Sequence, residues 1–217
     1  MKRRAVLFDL DGTLLDTLAD IADAMNAALA GFSLPVHPTA AYRRFVGDGV
    51  QTLARRATPP ARRGEAGLNE QLARAFRERY AERWQLKTRP YPGVPELLDA
   101  LTQRRVALAV LSNKPHEFAL ATVERYLARW PLSPVFGTRE GVPKKPDPRA
   151  VDPVLAALPV PRELWLYVGD SNTDMRTARA CNMTAVGVTW GFRDAEELSS
   201  AGAEHLIDEP AQLVELL

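Results

Sequence analysis

The sequence predicts an α/β protein with a central parallel β-sheet flanked by helices and an all-helical segment inserted after the first strand. Short apolar runs alternate with segments of helical periodicity along most of the chain. The interval from about residue 16 to residue 89 interrupts this alternation and contains no convincing strand pattern. Polar residues follow three of the apolar runs, and all three positions are C-terminal strand ends.

Composition narrows the classes of protein that the chain can be. Its 217 residues suffice for one large domain or two small ones, and 46% hydrophobic with 25% charged residues excludes a disordered chain. A net charge of +1 offers no basic field for nucleic acid, and no apolar run approaches the ~18 residues of a membrane span. The single cysteine, Cys181, excludes an internal disulfide and a Cys-based zinc site. We see no targeting segment and expect a cytoplasmic protein; the oligomeric state stays open.

Five apolar runs are predicted as strands, because each is short, continuous and closed by turn or polar residues. In chain order they cover residues 5–10, 106–111, 164–168 and 184–188, with a weaker fifth at 205–207. Helical periodicity fills residues 94–104, 117–126, 173–181 and 195–201. Strands alternating with helices indicate a parallel sheet that is covered on both faces.

The inserted segment reads as helical throughout. Thr17 and Asp20 resemble a capping box, after which apolar residues recur at helical spacing as far as Leu29. Further helical patterns cover residues 42–57 and 68–84. We predict two domains, residues 1–15 with 89–217 and residues 16–88.

Polar residues lie where an open parallel sheet binds its ligands, outside the C-terminal strand ends. Asp9 and Asp11 follow the first strand, and their i, i+2 spacing lets both carboxylates face one site, with Gly12 allowing a sharp turn. The other two ends contribute the remaining polar candidates, namely Ser112, Asn113, Asp170 and Asp174. Lys144 and Lys145 lie between two prolines, where the chain is expected to be extended and stiff.

Convergence of these carboxylates would require a cation. Two unit charges ~4 Å apart repel by ~4 kcal/mol at an effective dielectric constant of ~20, so four carboxylates cannot all stay ionised unaided. A hard divalent ion with oxygen ligands, Mg²⁺ above all, fits this donor set, and Lys145 adds a further positive charge. Such a site would attract a phosphate group. The sequence has neither a P-loop motif nor the spacing of an EF-hand loop.

The motifs resemble those of the haloacid dehalogenase superfamily, and the resemblance covers essentially the whole chain. They stand in the family's order as Asp9-Leu-Asp-Gly-Thr-Leu14, Leu111-Ser-Asn-Lys-Pro115, Lys145-Pro-Asp-Pro148 and Gly169-Asp-Ser-Asn-Thr-Asp174. Within the superfamily the chain is similar to the phosphoglycolate phosphatases, through Tyr91-Pro-Gly-Val94 and Val188-Thr-Trp-Gly-Phe-Arg193 among other stretches. The resemblance implies a Rossmann-like core, and the helical insert matches the position of the family's cap domain.

The resemblance also implies roles for individual residues. Asp9 would be the nucleophile that forms an aspartyl-phosphate, and Asp11 the general acid and then the general base. Mg²⁺ would be held by Asp9, the backbone carbonyl of Asp11 and Asp170, while Asp174 would orient a metal-bound water or hold Lys145. The phosphate-binding and substrate-binding set would be Gly12, Thr13, Ser112, Asn113, Lys145 and, in the cap, Gly47.

The implied activity is Mg²⁺-dependent hydrolysis of a small organic phosphate ester, with 2-phosphoglycolate the first candidate. Sugar-phosphate phosphatase, pyrophosphatase and β-phosphoglucomutase-like activities stay open, as does a non-catalytic binding module on the same fold. The cap would rock over the cleft about its connections near Asp16 and Arg89. Trp190 and Phe192 either line the cleft or belong to the core. Arg105 and Asn182 stand where the family commonly has glycine, and only asparagine readily tolerates left-handed backbone.

Overall fold

The computed structural model describes residues 5–217, and its contacts divide the chain into two compact units. One unit, called the core unit below, contains residues 5–16 together with Pro90–Leu217. The other, called the helical unit, is Thr17–Arg89. Both boundaries lie one residue after the predicted ones. Among residues 5–217, no helix has the length and apolar character needed to cross a membrane.

A six-stranded parallel sheet forms the centre of the core unit, which confirms the predicted fold class. Its strands are β1 Ala5–Phe8, β4 Ala107–Pro115, β5 Leu132–Thr138, β6 Trp165–Gly169, β7 Thr184–Val188 and β8 His205–Ile207. Their order across the sheet is β5-β4-β1-β6-β7-β8. Two further strands, β2 Leu15–Asp16 and β3 Arg89–Pro90, pair in a second, two-stranded sheet. The first strand therefore lies in the middle of the main sheet, between the strands that carry the other polar motifs.

Alternate residues of each strand enter two separate apolar layers, as the period of a strand requires. Val6 and Phe8 belong to one layer, whereas Ala5 and Leu7 belong to the other. The helices of the core unit are α5 Val94–Gln103, α6 His116–Leu127, α7 Asp152–Ala157, α8 Asn172–Ala180 and α9 Ala195–Ala201. Side chains of α5 and α6 complete the first layer, and those of α7, α8 and α9 complete the second. Both faces of the sheet are thus covered, which explains why its strands are continuous apolar runs.

One strand of the main sheet, β5, is missing from the sequence prediction. Its sequence is interrupted by Pro134 and Gly137, two residues that weaken a strand pattern. It forms the edge of the sheet, where a missing backbone donor is tolerated, and among the described strands it pairs with β4 alone. The strand β4 is also longer than predicted, so Ser112 and Asn113 lie within it rather than after it.

The helical unit contains α1 Leu18–Gly31, α2 Tyr42–Phe45, α3 Val50–Ala57 and α4 Leu68–Arg83. The prediction of one helical pattern over residues 42–57 is wrong, because α2 and α3 are separate helices. Between them, Gly47 and Gly49 have φ angles of +120° and +85°, a region that helical residues do not occupy.

The predicted capping box at the start of α1 is also wrong. Thr17 occupies the N-cap position, but its side chain caps no backbone N–H, and its Oγ1 is buried without a hydrogen-bond partner among the described residues. The carboxylate of Asp20 instead accepts hydrogen bonds from the backbone N–H groups of Lys87 and Thr88 and from the Thr88 hydroxyl, at 2.8–3.0 Å. This pairing over more than 60 residues, which a local motif cannot reveal, joins the two ends of the helical unit.

Candidate active site

The turn after β1 places two carboxylates at the C-terminal edge of the sheet. Asp9 is buried, and its backbone N–H donates to the carbonyl of Val168 at 2.9 Å, which extends the pairing of β1 with β6 by one residue. Asp11 follows two residues later. Gly12 has a φ of +91°, and a Cβ at this position would lie 2.3 Å from an Asp170 oxygen. Glycine is therefore required here by both backbone conformation and space.

Lys145 joins two of the predicted carboxylates. Its Nζ lies 2.7 Å from an oxygen of Asp9 and 2.7 Å from an oxygen of Asp174, and it also donates to the carbonyl of Leu111 at 2.9 Å. Only 2% of Lys145 is exposed, and burying a charge costs free energy unless it is paired. The three contacts compensate this cost. Burial alone would lower the pKa of Lys145, but Asp174 and Asp9 outweigh it and hold that pKa well above its ordinary value.

Asn113 fixes the backbone that carries Lys145. Its amide group donates to the Lys145 carbonyl and accepts from the Lys145 backbone N–H, both at 3.1 Å. Ser112, the preceding residue, is buried, and its Oγ accepts a bond from the backbone N–H of Lys114 at 3.3 Å. The neighbouring Lys144 is exposed. The second and third motifs therefore come together through the residues that the sequence singled out.

Asp170 and Asp174 are positioned by the turn between β6 and α8. Thr13 Oγ1 donates to one oxygen of Asp170 at 3.3 Å, and the Phe192 backbone N–H donates to the other at 2.7 Å. Asp174 forms a capping box with Ser171 at the start of α8, where the helix dipole favours a carboxylate. Its other oxygen is the one that contacts Lys145. Asp174 thus serves as a helix cap and as a partner of Lys145 in one geometry.

Three of these carboxylates form a cluster. Asp9, Asp170 and Asp174 are buried, and each offers an oxygen within 4.8 Å of those of the other two. Burial raises the pKa of Asp9 to about 7, with Lys145 opposing the shift and Asp174 and Asp11 adding to it. The pKa of Asp170 also lies well above its ordinary value. Burial is the main cause, and repulsion from Asp9 and Asp174 raises the pKa further. Without a further cation, the cluster disfavours full ionisation.

A lysine that the sequence reasoning gave no role contacts Asp11. Lys114 Nζ lies 2.9 Å and 3.1 Å from the two oxygens of Asp11, and only 3% of the lysine side chain is exposed. The available signal was its position two residues after Ser112 in a strand, since such residues face the same side. Trp190, whose placement was left open, donates from Nε1 to the carbonyl of Thr13 at 3.0 Å.

The donor set fits a hard divalent cation. The four carboxylates form ion pairs with two ammonium groups, those of Lys114 and Lys145, and the charge of Arg193 also acts on Asp170, so full ionisation would still leave an excess of negative charge among them. The three clustered acids offer only carboxylate oxygens, which suit Mg²⁺ better than a softer metal. Gly47, the remaining residue of the predicted substrate-binding set, belongs to the helical unit, where it lies between α2 and α3.

Comparison with known proteins identifies the family. The sequence profile described as haloacid dehalogenase-like hydrolase matches residues 6–188. The chain belongs to the haloacid dehalogenase-like hydrolases.

One relative is a phosphoglycolate phosphatase of Rhodospirillum rubrum. It is 36% identical to this chain over 216 residues, and the alignment covers 97% of this chain and 89% of the relative. The phosphoglycolate phosphatase of Chromobacterium violaceum is 35% identical, covering 99% and 96%. A solved structure from Lactobacillus delbrueckii subsp. bulgaricus, a candidate phosphoglycolate phosphatase, superposes with a TM-score of 0.92 at 32% identity and covers 100% and 98% of the two chains. The predicted resemblance and the prediction of an enzyme, a phosphatase of this hydrolase family, are confirmed.

Proposed function

We propose that this haloacid dehalogenase-like hydrolase cleaves small phosphate monoesters in a Mg²⁺-dependent reaction through an aspartyl-phosphate on Asp9. The observation that carries the proposal is the position of the buried Asp9 carboxylate. It contacts Lys145 at 2.7 Å and lies within 4.8 Å of Asp170 and Asp174. A buried carboxylate beside a fixed ammonium group and a proposed cation site supports a role as the nucleophile towards a phosphoryl group.

The cation would be held by the carboxylates of Asp9 and Asp170 and by the backbone carbonyl of Asp11. When bound, Mg²⁺ supplies positive charge that draws the phosphate dianion to Asp9 and offsets the repulsion between them. The hydrogen bonds from Thr13 and the Phe192 backbone fix the orientation of Asp170 for this task. Outer contacts of this kind commonly orient metal ligands in proteins.

In the first half-reaction, an Asp9 carboxylate oxygen forms a bond to phosphorus as the bond from phosphorus to the ester oxygen breaks. Asp11 gives its proton to the departing oxygen, so the alcohol leaves neutral. Lys145 neutralises charge that spreads over the transferring phosphoryl oxygens, and Ser112 and Asn113 bind those oxygens with Gly12 and Thr13. Gly47, in the helical unit, stays a further residue that is predicted to bind the substrate.

In the second half-reaction, a water molecule attacks the phosphorus of the aspartyl-phosphate. Asp11, now a carboxylate, takes the proton of this water, and Asp9 is released as the phosphate leaves. Lys114 holds the Asp11 carboxylate through both of its oxygens, which limits the orientations available to it. The contact would therefore keep the Asp11 carboxylate in the orientation that proton transfer requires.

Among phosphate esters, we propose 2-phosphoglycolate as the substrate. Support comes from the relatives at 35% and 36% identity over nearly the whole chain, both named phosphoglycolate phosphatases. Sugar phosphates and pyrophosphate are the competing substrates, and the cytoplasmic location stays a prediction.

The test is steady-state hydrolysis of p-nitrophenyl phosphate and of a panel of phosphorylated metabolites, each with Mg²⁺ and with a chelator. We expect Mg²⁺-dependent release of phosphate and the highest kcat/KM for 2-phosphoglycolate. Asp9→Asn should abolish turnover, whereas Asp23→Asn, at an exposed acid of the helical unit, should leave it intact. Wild-type turnover by Asp9→Asn would refute the nucleophile, and a tenfold preference for a hexose phosphate would refute the substrate.

A further inference from the structure

The segment that follows β7 contacts both of the turns that carry the proposed cation ligands. Asp9 and the carbonyl of Asp11 belong to the turn after β1, whereas Asp170 belongs to the turn after β6. Mg²⁺ demands a near-ideal arrangement of its ligands, so a cation held by all three needs these two turns at a fixed separation. Residues 190–193, between β7 and α9, contact both turns, and the proposed mechanism gives Trp190 no role.

The indole of Trp190 connects this segment to the turn after β1. Its Nε1 donates to the backbone carbonyl of Thr13 at 3.0 Å, a contact between residues 177 positions apart. The ring is partly buried and packs against the apolar layer that contains Val6 and Phe8. Because this packing limits the orientations of the ring, the hydrogen bond restrains the position of the Thr13 carbonyl.

Asp170 is enclosed between the same segment and the turn after β1. One of its oxygens accepts a hydrogen bond from Thr13 Oγ1 at 3.3 Å, and the other accepts one from the Phe192 backbone N–H at 2.7 Å. A Cβ on Gly191 would overlap the Asp170 side chain and the carbonyl of Gly12, and a Cβ on Gly12 would overlap the Asp170 carboxylate. Both glycines thus pack directly on Asp170 and leave its carboxylate little freedom.

Both ends of the segment are anchored within the core unit. Thr189, which precedes it, donates from its backbone N–H to the carbonyl of Ile207 in β8 at 3.0 Å. At the other end, Arg193 Nε lies 3.2 Å from an oxygen of Glu197 in α9, and only 8% of the arginine side chain is exposed. A segment held at both ends provides a rigid support for the groups that it contacts.

We propose that Trp190 is a positioning residue of the cation site, which holds the turn after β1 at the distance from Asp170 that Mg²⁺ binding requires. The inference rests on the proposed function, because it takes Asp9, the Asp11 carbonyl and Asp170 as the ligands. Outer residues that contact metal ligands directly commonly change metal affinity by about 10- to 100-fold. Trp190 acts at one further remove, through a single neutral hydrogen bond, so its effect should be smaller.

The experiment measures Mg²⁺ binding by the substrate-free protein, as the rise of Tm in a Mg²⁺ titration. Trp190→Phe keeps an aromatic ring but lacks the donor. For this variant we expect the dissociation constant of Mg²⁺ to rise by roughly three- to tenfold. The kcat for p-nitrophenyl phosphate at saturating Mg²⁺ should stay within about twofold of the wild-type value, because the reacting groups are unchanged.

Trp130→Phe is the matched control. Trp130 Nε1 also donates to a partner in the core unit, Asp99 at 2.7 Å, and the ring also packs in the first apolar layer. Asp99 belongs to α5 and takes no part in the proposed site, so this variant should keep the wild-type Mg²⁺ affinity whatever its effect on the Tm without metal. Gly191→Ala is a second test, because its Cβ would displace Asp170 and should weaken Mg²⁺ binding at least as much as Trp190→Phe.

The results separate this inference from the function on which it rests. An unchanged Mg²⁺ affinity in Trp190→Phe would overturn the inference, and so would an equal loss in Trp130→Phe, which would indicate general destabilisation. In both cases Mg²⁺-dependent turnover by the wild-type protein would still support the proposed function. A wild-type protein that neither binds Mg²⁺ nor hydrolyses p-nitrophenyl phosphate would overturn the two proposals together.

Discussion

Lys114 Nζ lies 2.9 Å from Asp11 Oδ1, although 103 residues separate the two along the chain. The pair is almost completely enclosed, with 3% of the lysine side chain and 10% of the aspartate side chain exposed. An enclosed pair of this kind holds a carboxylate in one orientation, and the proposed general acid depends on such an orientation. The contact connects the first motif to the second through a residue outside the proposed phosphate-binding set.

Replacement of this lysine tests the contact. For Lys114→Gln we expect kcat to fall by roughly 10- to 100-fold, because Asp11 would lose the partner that orients it for proton transfer. KM should change less than kcat, since Lys114 contacts Asp11 rather than the phosphoryl group in the proposed mechanism. Steady-state kinetics with 2-phosphoglycolate and with p-nitrophenyl phosphate measure both effects.

Lys87→Gln provides the control for that experiment. Lys87 also pairs with an aspartate, Asp23 at 2.6 Å, but this pair is exposed in the helical unit. The control should keep the wild-type rate. A Lys114→Gln enzyme with unchanged kcat would show that the orientation of Asp11 does not depend on the lysine.

Asp20 is expected to stabilise the helical unit through its bonds to Lys87 and Thr88. Asp20→Ala would leave buried donors unsatisfied, and each such group costs ~1–3 kcal/mol, so we expect a loss of about 3 kcal/mol in the free energy of unfolding. Urea denaturation measures this quantity. Asp23→Ala, which removes only an exposed ion pair, should cost less than about 1 kcal/mol. Equal costs for the two variants would contradict this assignment.

Metal binding should stabilise the protein in a pH-dependent way. The pKa of Asp9 is raised from 3.8 to about 7, mainly by burial, so folding favours the protonated acid between these values. The stability of the metal-free protein attributable to Asp9 is therefore present at low pH and falls as the pH rises towards about 7. A cation must displace this proton, and its stabilising effect should accordingly grow over the same interval.

Thermal denaturation with Mg²⁺ and with a chelator, from pH 5.5 to pH 8 or so, measures this dependence. We expect the Mg²⁺-induced rise in Tm to be larger at the upper end of the range. Asp9→Asn removes the titrating group and should flatten the profile. A wild-type rise in Tm that is independent of pH, or larger at the acid end, would be inconsistent with a cation held by Asp9.

Arg105 occupies a strained backbone position in the turn before β4. Its φ is +55°, and Asn182 has a φ of +54° in the turn after α8. Left-handed backbone costs an ordinary residue ~1–2 kcal/mol, whereas glycine and, to a smaller extent, asparagine tolerate it. We therefore expect Arg105→Gly to raise the free energy of unfolding by about 1 kcal/mol, and Asn182→Gly to raise it by less. Denaturant titration measures the free energy of unfolding of both variants. A larger gain for Asn182→Gly than for Arg105→Gly would contradict this expectation.

Local patterns in the sequence were sufficient to predict most of the fold and to single out the acids that the structure brings close together. Buried parallel strands are continuous apolar runs, and polar residues after them stand out, which is why Asp9, Asp11, Asp170 and Asp174 could be found. The edge strand β5 escaped because Pro134 and Gly137 break its pattern, and its pairing with β4 is a tertiary property.

Other features depend on contacts that no local motif encodes. Asp20 resembles a capping residue in its sequence context, but partners more than 60 residues away use its carboxylate instead. Likewise, the pairing of Lys114 with Asp11 requires the register of β1 against β4, which the sequence alone does not fix. The hydrogen bond from Trp190 to Thr13 joins residues 177 positions apart, and no pattern around either residue indicates it.

The most direct test of the proposed chemistry is chemical trapping of the intermediate on Asp9. The enzyme would be mixed with 2-phosphoglycolate and Mg²⁺, quenched in acid, reduced with borohydride and analysed by peptide mass spectrometry. Borohydride reduces an acyl phosphate to an alcohol, so we predict conversion of Asp9 to homoserine in the wild-type protein and none without substrate. Substrate turnover with unmodified Asp9, or homoserine formed at Asp11, Asp170 or Asp174 instead, would contradict the assignment of the nucleophile.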